Sequence, residues 1–162
     1  MICFTKYIRG WGWCTALRFL LADKDARRLS KKEVGRLLTG PNLLRLAFLN
    51  GSTPMVHPVW FVYEGEKFWV AVDREGAKAR SIRENPRVYF LVDIGSSPPR
   101  GVRGRGTARV IDDPAFATEI TTKCVRKYLK TARTKKAKEI IEMGIESCAI
   151  EITPCYMASW KF

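Results

Sequence analysis

Histidine is nearly missing from this chain. His57 is the sole one among 162 residues. That excludes a histidine-rich metal centre, and no serine stands where it would complete a nucleophilic triad with His57. The 5 cysteines, Cys3, Cys14, Cys124, Cys148 and Cys155, are odd in number, and no two are spaced C-x-x-C. The pattern excludes a disulfide framework and a zinc ribbon, and it points to reduced thiols in a cytoplasmic protein. No run of about 20 uncharged apolar residues occurs, so no transmembrane helix is expected. There is no Walker loop and no internal repeat. Gly101-x-x-Gly104-x-Gly106 is out of order for a dinucleotide fingerprint and sits in a strand pattern rather than at a helix start. Acid is scarce as well: 16 Asp and Glu face 29 Lys and Arg, a net charge of +13.

What is present describes one folded domain. Hydrophobic residues make up 46% of the chain and charged ones 28%, and 5 Trp, 5 Tyr and 8 Phe are more aromatics than a disordered chain carries. The positive charge is uneven. Residues 1–45 hold a net +7 and residues 74–111 a net +6. Two basic zones fit an anionic partner, whether a phosphate ligand, nucleic acid or a membrane surface, or else a solvated surface that aids solubility. Met1 to Ala22 mixes Trp11, Trp13, Phe19 and Leu20 with Lys6, Arg9 and Arg18. Arg18 splits the apolar stretch that a signal peptide would need. Residues 1–29 are therefore taken as an N-terminal extension and 30–162 as the domain, and removal of Met1 to Ala22 is expected to leave folding intact.

Ser30-Lys31-Lys32-Glu33 is a capping box opening a helix that Gly40-Pro41 stops. Asn42 to Asn50, Met55 to Tyr63 and Lys67 to Val72 read as strands joined by turns at Gly51-Ser52-Thr53-Pro54 and Glu64-Gly65-Glu66. A short helix from Lys78 to Glu84 precedes strands at Arg87 to Asp93 and Gly101 to Ile111. The glycines of the latter predict a bulge or a close backbone approach. Asp113-Pro114 caps a helix through Leu129, a second helix spans Lys135 to Met143, and a last strand from Cys148 is broken at Pro154. Six strands in consecutive antiparallel runs predict a mainly β fold, a small closed barrel with peripheral helices.

Three segments carry candidate chemistry. Asp73 to Ser81 is a strand, a loop and then a helix opening with Lys78 and Arg80, an arrangement that receives phosphate, although a solvated helix face reads the same way. Arg100 to Gly106 has the look of an RGG segment, yet Arg103 and Arg105 fall on one strand face, which favours a plain basic surface over a nucleic-acid tail. His57 in Val56-His57-Pro58-Val59-Trp60 reads first as a packing residue and second as a ligand contact. No constellation of acid and base singles out a catalytic residue.

The ordered set Gly51…Pro54-x-x-His57-Pro58-Val59-Trp60-Phe61, Lys78, Asn85-Pro86-Arg87-Val88, Gly106-Thr107-Ala108, Pro154 and Ser159-Trp160 resembles the FMN-binding split-barrel proteins related to pyridoxamine 5′-phosphate oxidase. The resemblance covers about residues 30–162. It implies a six-stranded Greek-key split barrel forming a two-fold homodimer, with FMN in grooves between the subunits. By resemblance, His57, Pro58, Val59 and Trp60 run beside the flavin ring, with the backbone of Ala71 and Val72 facing it. Lys78 matches the family's phosphate lysine, and Arg80 and Ser81 follow on the same helix. Gly101, Arg103 and Trp160 would approach from the second subunit. The oxidase proper has arginine at the positions of His57 and Ala77 and a C-terminal arginine-and-histidine segment not seen here, so vitamin B6 oxidation is not the expected activity.

The resemblance therefore implies a flavin-dependent oxidoreductase acting on a small molecule. Two alternatives stay open at this point, a flavin-binding or carrier protein without dedicated catalysis and a basic nucleic-acid-binding barrel, and deazaflavin is the alternative to FMN as cofactor. The family also includes haem-binding members.

Overall fold

The structure, a computed structural model, describes residues 26–162 and the backbone of residues 18–21. Most of the expected N-terminal extension, including its two tryptophans, lies outside the described residues. In chain order the elements are β1 (Arg18–Leu21), α1 (Lys31–Thr39), β2 (Leu44–Asn50), β3 (Thr53–Val59), β4 (Val62–Glu64), β5 (Lys67–Asp73), α2 (Ala77–Glu84), β6 (Arg87–Ile94), β7 (Arg100–Ile111), α3 (Pro114–Leu129), α4 (Lys135–Glu142), a 3₁₀ turn (Met143–Glu146) and β8 (Ser147–Lys161).

Alternation sets which face of each strand is buried. β2 buries Leu44, Leu46 and Phe48 while Arg45 faces outward, and β6 buries Val88, Phe90 and Val92 while Arg87 and Tyr89 face outward. The antiparallel strands run in the order β3-β2-β6-β7-β8-β5-β4. The two edge strands, β3 and β4, are separated in the chain by Trp60 and Phe61 alone. Laid flat, such a sheet would be about 29 Å wide at the usual strand spacing. The three-residue step from Val59 to Val62 reaches at most about 11 Å. The sheet must therefore curl until its edges meet at this corner, and it closes into a barrel. Phe68 sits at the centre of the interior, its ring 4.7 Å from Phe90, 4.8 Å from Tyr63 and 5.5 Å from Phe61.

The helices lie outside the barrel. Ser30 and Glu33 form the predicted capping box, and α1 buries Leu37 and Leu38. Asp113 accepts the Phe116 amide at 3.1 Å to start α3, which buries Ile120 and Cys124 among Val62 of β4 and Ala149 of β8. Among the described residues no helix is long and apolar enough to cross a membrane.

The mainly β architecture with peripheral helices is the expected one, but the strand count differs from six. Met55 to Tyr63 is not one strand: it breaks at Trp60-Phe61 to form the barrel corner. Pro154 does not end the last strand. Arg105 pairs with Tyr156 and Gly106 with Pro154, so Cys155 is the extra residue of a bulge that absorbs a proline with no N–H to donate. Gly104 is where the expected close approach occurs, since a Cβ there would strike the Tyr156 carbonyl and the Phe90 ring. An unforeseen strand, β1, pairs in parallel with β8, Arg18 opposite Tyr156 through Leu21 opposite Ser159.

Candidate functional site

The ends of β3 and β5 come together under the α3–α4 layer, and a cleft of about 340 Å³ opens between them. Val59, Trp60, Ala71 and Val72 form its strand side. Thr121 and Cys124 of α3, Ile140 of α4 and Met143 of the 3₁₀ turn face them. Asp73 is the one charged side chain of this lining among the described residues, and Ser147 completes it. The cleft is thus apolar with a polar rim, the usual character of a site for a flat organic ring.

The corner beside the cleft needs outside support, because a break in a strand leaves backbone groups without ladder partners. α3 supplies it. The Tyr128 hydroxyl accepts from the Phe61 amide at 3.2 Å and donates to the Asn42 carbonyl at 2.7 Å. Lys127 Nζ donates to the carbonyls of Leu38 and Phe61, each at 2.9 Å, and lies 3.4 Å from the Phe61 ring centroid. The Trp60 and Tyr128 rings are stacked. Burial pulls the Lys127 ammonium down to about 8 and holds the Tyr128 hydroxyl above its ordinary value. Burial also pushes the Cys124 thiol up to about 12, so it stays protonated at neutral pH and is no nucleophile.

Next to the cleft, the strand-loop-helix junction holds three basic side chains, Arg74, Lys78 and Arg80, against Asp73 and Glu75. Gly76 caps α2 with no side chain to offer, and no acidic residue stands in the first turn, so its leading amides have no side-chain acceptor. Lys78 is half-buried, has no ion-pair or hydrogen-bond partner among the described residues, and is lowered by desolvation. Arg80 is exposed and equally unpartnered among them. Arg74 donates through Nη2 to the Ser147 carbonyl at 3.3 Å, while its buried Nε has no partner. A half-desolvated ammonium beside uncapped helix amides has the chemistry to hold an anion.

The sequence-selected residues divide into groups. Val59, Trp60, Ala71 and Val72 share the cleft. Lys78 and Arg80 belong to the junction beyond Asp73. Ser81 is buried, and its hydroxyl donates to Asn50 Oδ1 at 3.3 Å, which commits it to packing α2 on β2. His57 stands edge-on to Phe48 with centroids 5.2 Å apart, and Pro58 is exposed opposite Arg45; neither lines the cleft. Gly101, Arg103 and Trp160 lie at the far end of β7 and β8, where the Trp160 ring covers Gly101 so closely that a Cβ would come within 2.5 Å of it. The chain does not bring this group to the cleft. Along β8, Val72 pairs with Cys148 and Gly101 with Trp160, a span of roughly 40 Å of extended strand.

Sequence reasoning missed the α3 side of the cleft. Cys124 was visible only as one turn of an apolar helix face, and nothing local marks Lys127 and Tyr128 as supports for a corner more than 60 residues away. Arg74 was within reach, since it stands inside the basic loop leading to Lys78.

A family model described as pyridoxamine 5′-phosphate oxidase matches residues 30–158. Among solved structures, a conserved hypothetical protein from Mycobacterium tuberculosis superposes with a TM-score of 0.73 at 21% identity, covering 86% of this chain and 88% of that one. An F420 reductase gives a TM-score of 0.62 at 24% identity, covering 75% of this chain and 92% of its own. A FAD-binding protein from Mesorhizobium loti gives 0.62 at 19% identity, with 85% and 98% covered. At these identities the solved structures establish a common fold. No curated protein matches the sequence.

Proposed function

The chain belongs to the pyridoxamine 5′-phosphate oxidase family, and from that premise we propose that it binds FMN and works as a flavin-dependent oxidoreductase on a small molecule. The observation that carries this reading is the pairing of an apolar cleft with Lys78, unpartnered among the described residues, at the start of α2, which no side chain caps. A flavin mononucleotide has the matching halves, a flat apolar ring system and a phosphate dianion. Lys78, the first-turn amides of α2 and Arg80 would hold the phosphate. Val59, Trp60, Ala71 and Val72 would bound the ring and exclude water from it. When bound, the flavin supplies the hydride and electron chemistry, so the protein itself needs no array of acids and bases.

A homodimer belongs to the same proposal. Val56, Ala47, Tyr89, Arg105 and Tyr156 stand in one register row across β3, β2, β6, β7 and β8. Val56 is 61% exposed and Tyr89 42% exposed in that row. A second copy against this face would cover them and could present its Gly101, Arg103 and Trp160 to the cleft, which one chain cannot do for itself. Cys124, Cys148 and Cys155 are free thiols, which supports a reducing, cytoplasmic setting.

Deazaflavin is the second reading for the cofactor, favoured by the likeness to an F420 reductase. Mass spectrometry of the ligand released from purified protein decides between them. FMN is the expected mass. A deazaflavin mass would replace the cofactor, and a colourless protein that fails to take up added FMN would overturn the proposal.

A further inference from the structure

A second pocket, of about 360 Å³, opens at the other end of β8: the cleft is lined by Ser147, the first residue of that strand, and this pocket by Lys161, its last. Ile94, Arg100 and Lys161 stand in one register row across β6, β7 and β8, and so share a face. Arg36 reaches the same space from the last turn of α1. Leu37, Pro98 and Ile94 supply apolar wall, and the 61% exposed Phe162 lies at the edge.

The charges here do not cancel. Glu33 is the one acid of the lining among the described residues, and both its oxygens are engaged. Oε2 accepts from the Ser30 amide and hydroxyl, each at 2.7 Å, and Oε1 accepts from Lys161 Nζ at 2.7 Å. Glu33 and Lys161 therefore neutralise each other. Arg36 and Arg100 are left without a carboxylate or any other side-chain partner among the described residues. Two guanidiniums from different elements, unpaired among the described residues, line one pocket with an apolar wall, which suits an anionic group with a hydrophobic body behind it.

We propose that this pocket is a second ligand site, separate from the flavin cleft, for a small amphiphilic anion: a carboxylate or phosphate carried on a compact apolar group. Arg36 and Arg100 bind the anion, and Leu37, Ile94 and Pro98 receive the apolar part. The inference stands without the flavin reading, because the two pockets have no residue in common.

Isothermal titration of the full chain with phenyl phosphate, benzoate and inorganic phosphate tests it. Phenyl phosphate or benzoate should bind saturably, and the tighter of the two names the anion. Inorganic phosphate, lacking the apolar body, should bind this pocket at least 10-fold more weakly. The Arg36→Gln/Arg100→Gln double variant should lose at least 10-fold in affinity, and each single variant part of that. Lys138→Ala, at an exposed lysine of α4 that lines neither pocket, should bind the aromatic anion as the wild type does. Each variant is checked for unchanged thermal unfolding, and a single variant replaces the double one if the latter misfolds. Absence of saturable binding, or binding that the arginine variants leave intact, overturns the proposal.

Discussion

The indole of Trp60 lies parallel to the ring of Tyr128, 4.8 Å away and 5° from coplanar. The wall of the cleft is therefore set by a helix that reaches the barrel from outside. Tyr128→Phe keeps the stacking but leaves the Asn42 carbonyl and the Phe61 amide without the hydroxyl. The expected loss is about 1–3 kcal/mol of stability, read by urea denaturation. Tyr128→Leu, which removes the stacking as well, should cost more and should also alter Trp60 fluorescence.

Lys127 makes stability rise with pH in a defined window. Its pKa is about 8 in the folded chain against 10.5 for an ordinary lysine. Between those values the unfolded chain holds the proton more tightly, so folding is favoured as pH climbs through the window and is burdened by the full cost below it. Lys127→Met removes this dependence. In paired melts at pH 7 and pH 10, the wild type should gain on the variant at the higher pH; parallel shifts would contradict the burial of the ammonium.

Lys78→Ala should weaken FMN binding by about 10- to 100-fold, the loss of a charge-assisted hydrogen bond worth roughly 1.5–3 kcal/mol. Riboflavin, without a phosphate, should bind wild type and variant nearly equally. Titration of both ligands separates the outcomes: equal FMN affinities remove the assignment, and equal losses for both ligands indicate a damaged fold.

The wild type should sediment as a homodimer at micromolar concentration. Val56→Lys/Tyr89→Lys, which puts charge into the exposed row, should shift it to monomer and lower FMN affinity at least 10-fold. A monomer that retains its cofactor at full affinity would refute the shared site.

Much of the fold could be read locally, because local forces decide it. Ser30 and Glu33 announce a helix start three residues apart, and Asp113-Pro114 does the same for α3. The Gly104 close approach is likewise written in a strand whose inward positions are too small for anything else. The barrel corner was hidden, since Pro58, the one breaker residue in Met55 to Tyr63, lies inside β3, and the break two residues later comes from sheet closure. Pro154 misled for the opposite reason: it breaks strands in general, but the bulge at Cys155 accommodates it. Of the candidate site, Lys78 came from the strand-loop-helix pattern and the strand residues from the family resemblance, whereas the α3 wall and the Arg74 contact depend on tertiary packing that no spacing encodes.

The parallel pairing of β1 with β8 fixes an order of events. Leu21 meets Ser159, 138 positions later, so the first described strand has no docking place until residues 156–159 have been made. The segment at residues 156–159 pairs with β7 on one side and with β1 on the other. Until β1 arrives, that second side is a bare row of amides and carbonyls, open to any extended chain nearby. β1 can therefore lock only after that segment of β8 is in place. A newly made molecule passes through an interval in which it can lend that open edge to a neighbour, and crowding at synthesis should decide how often it does.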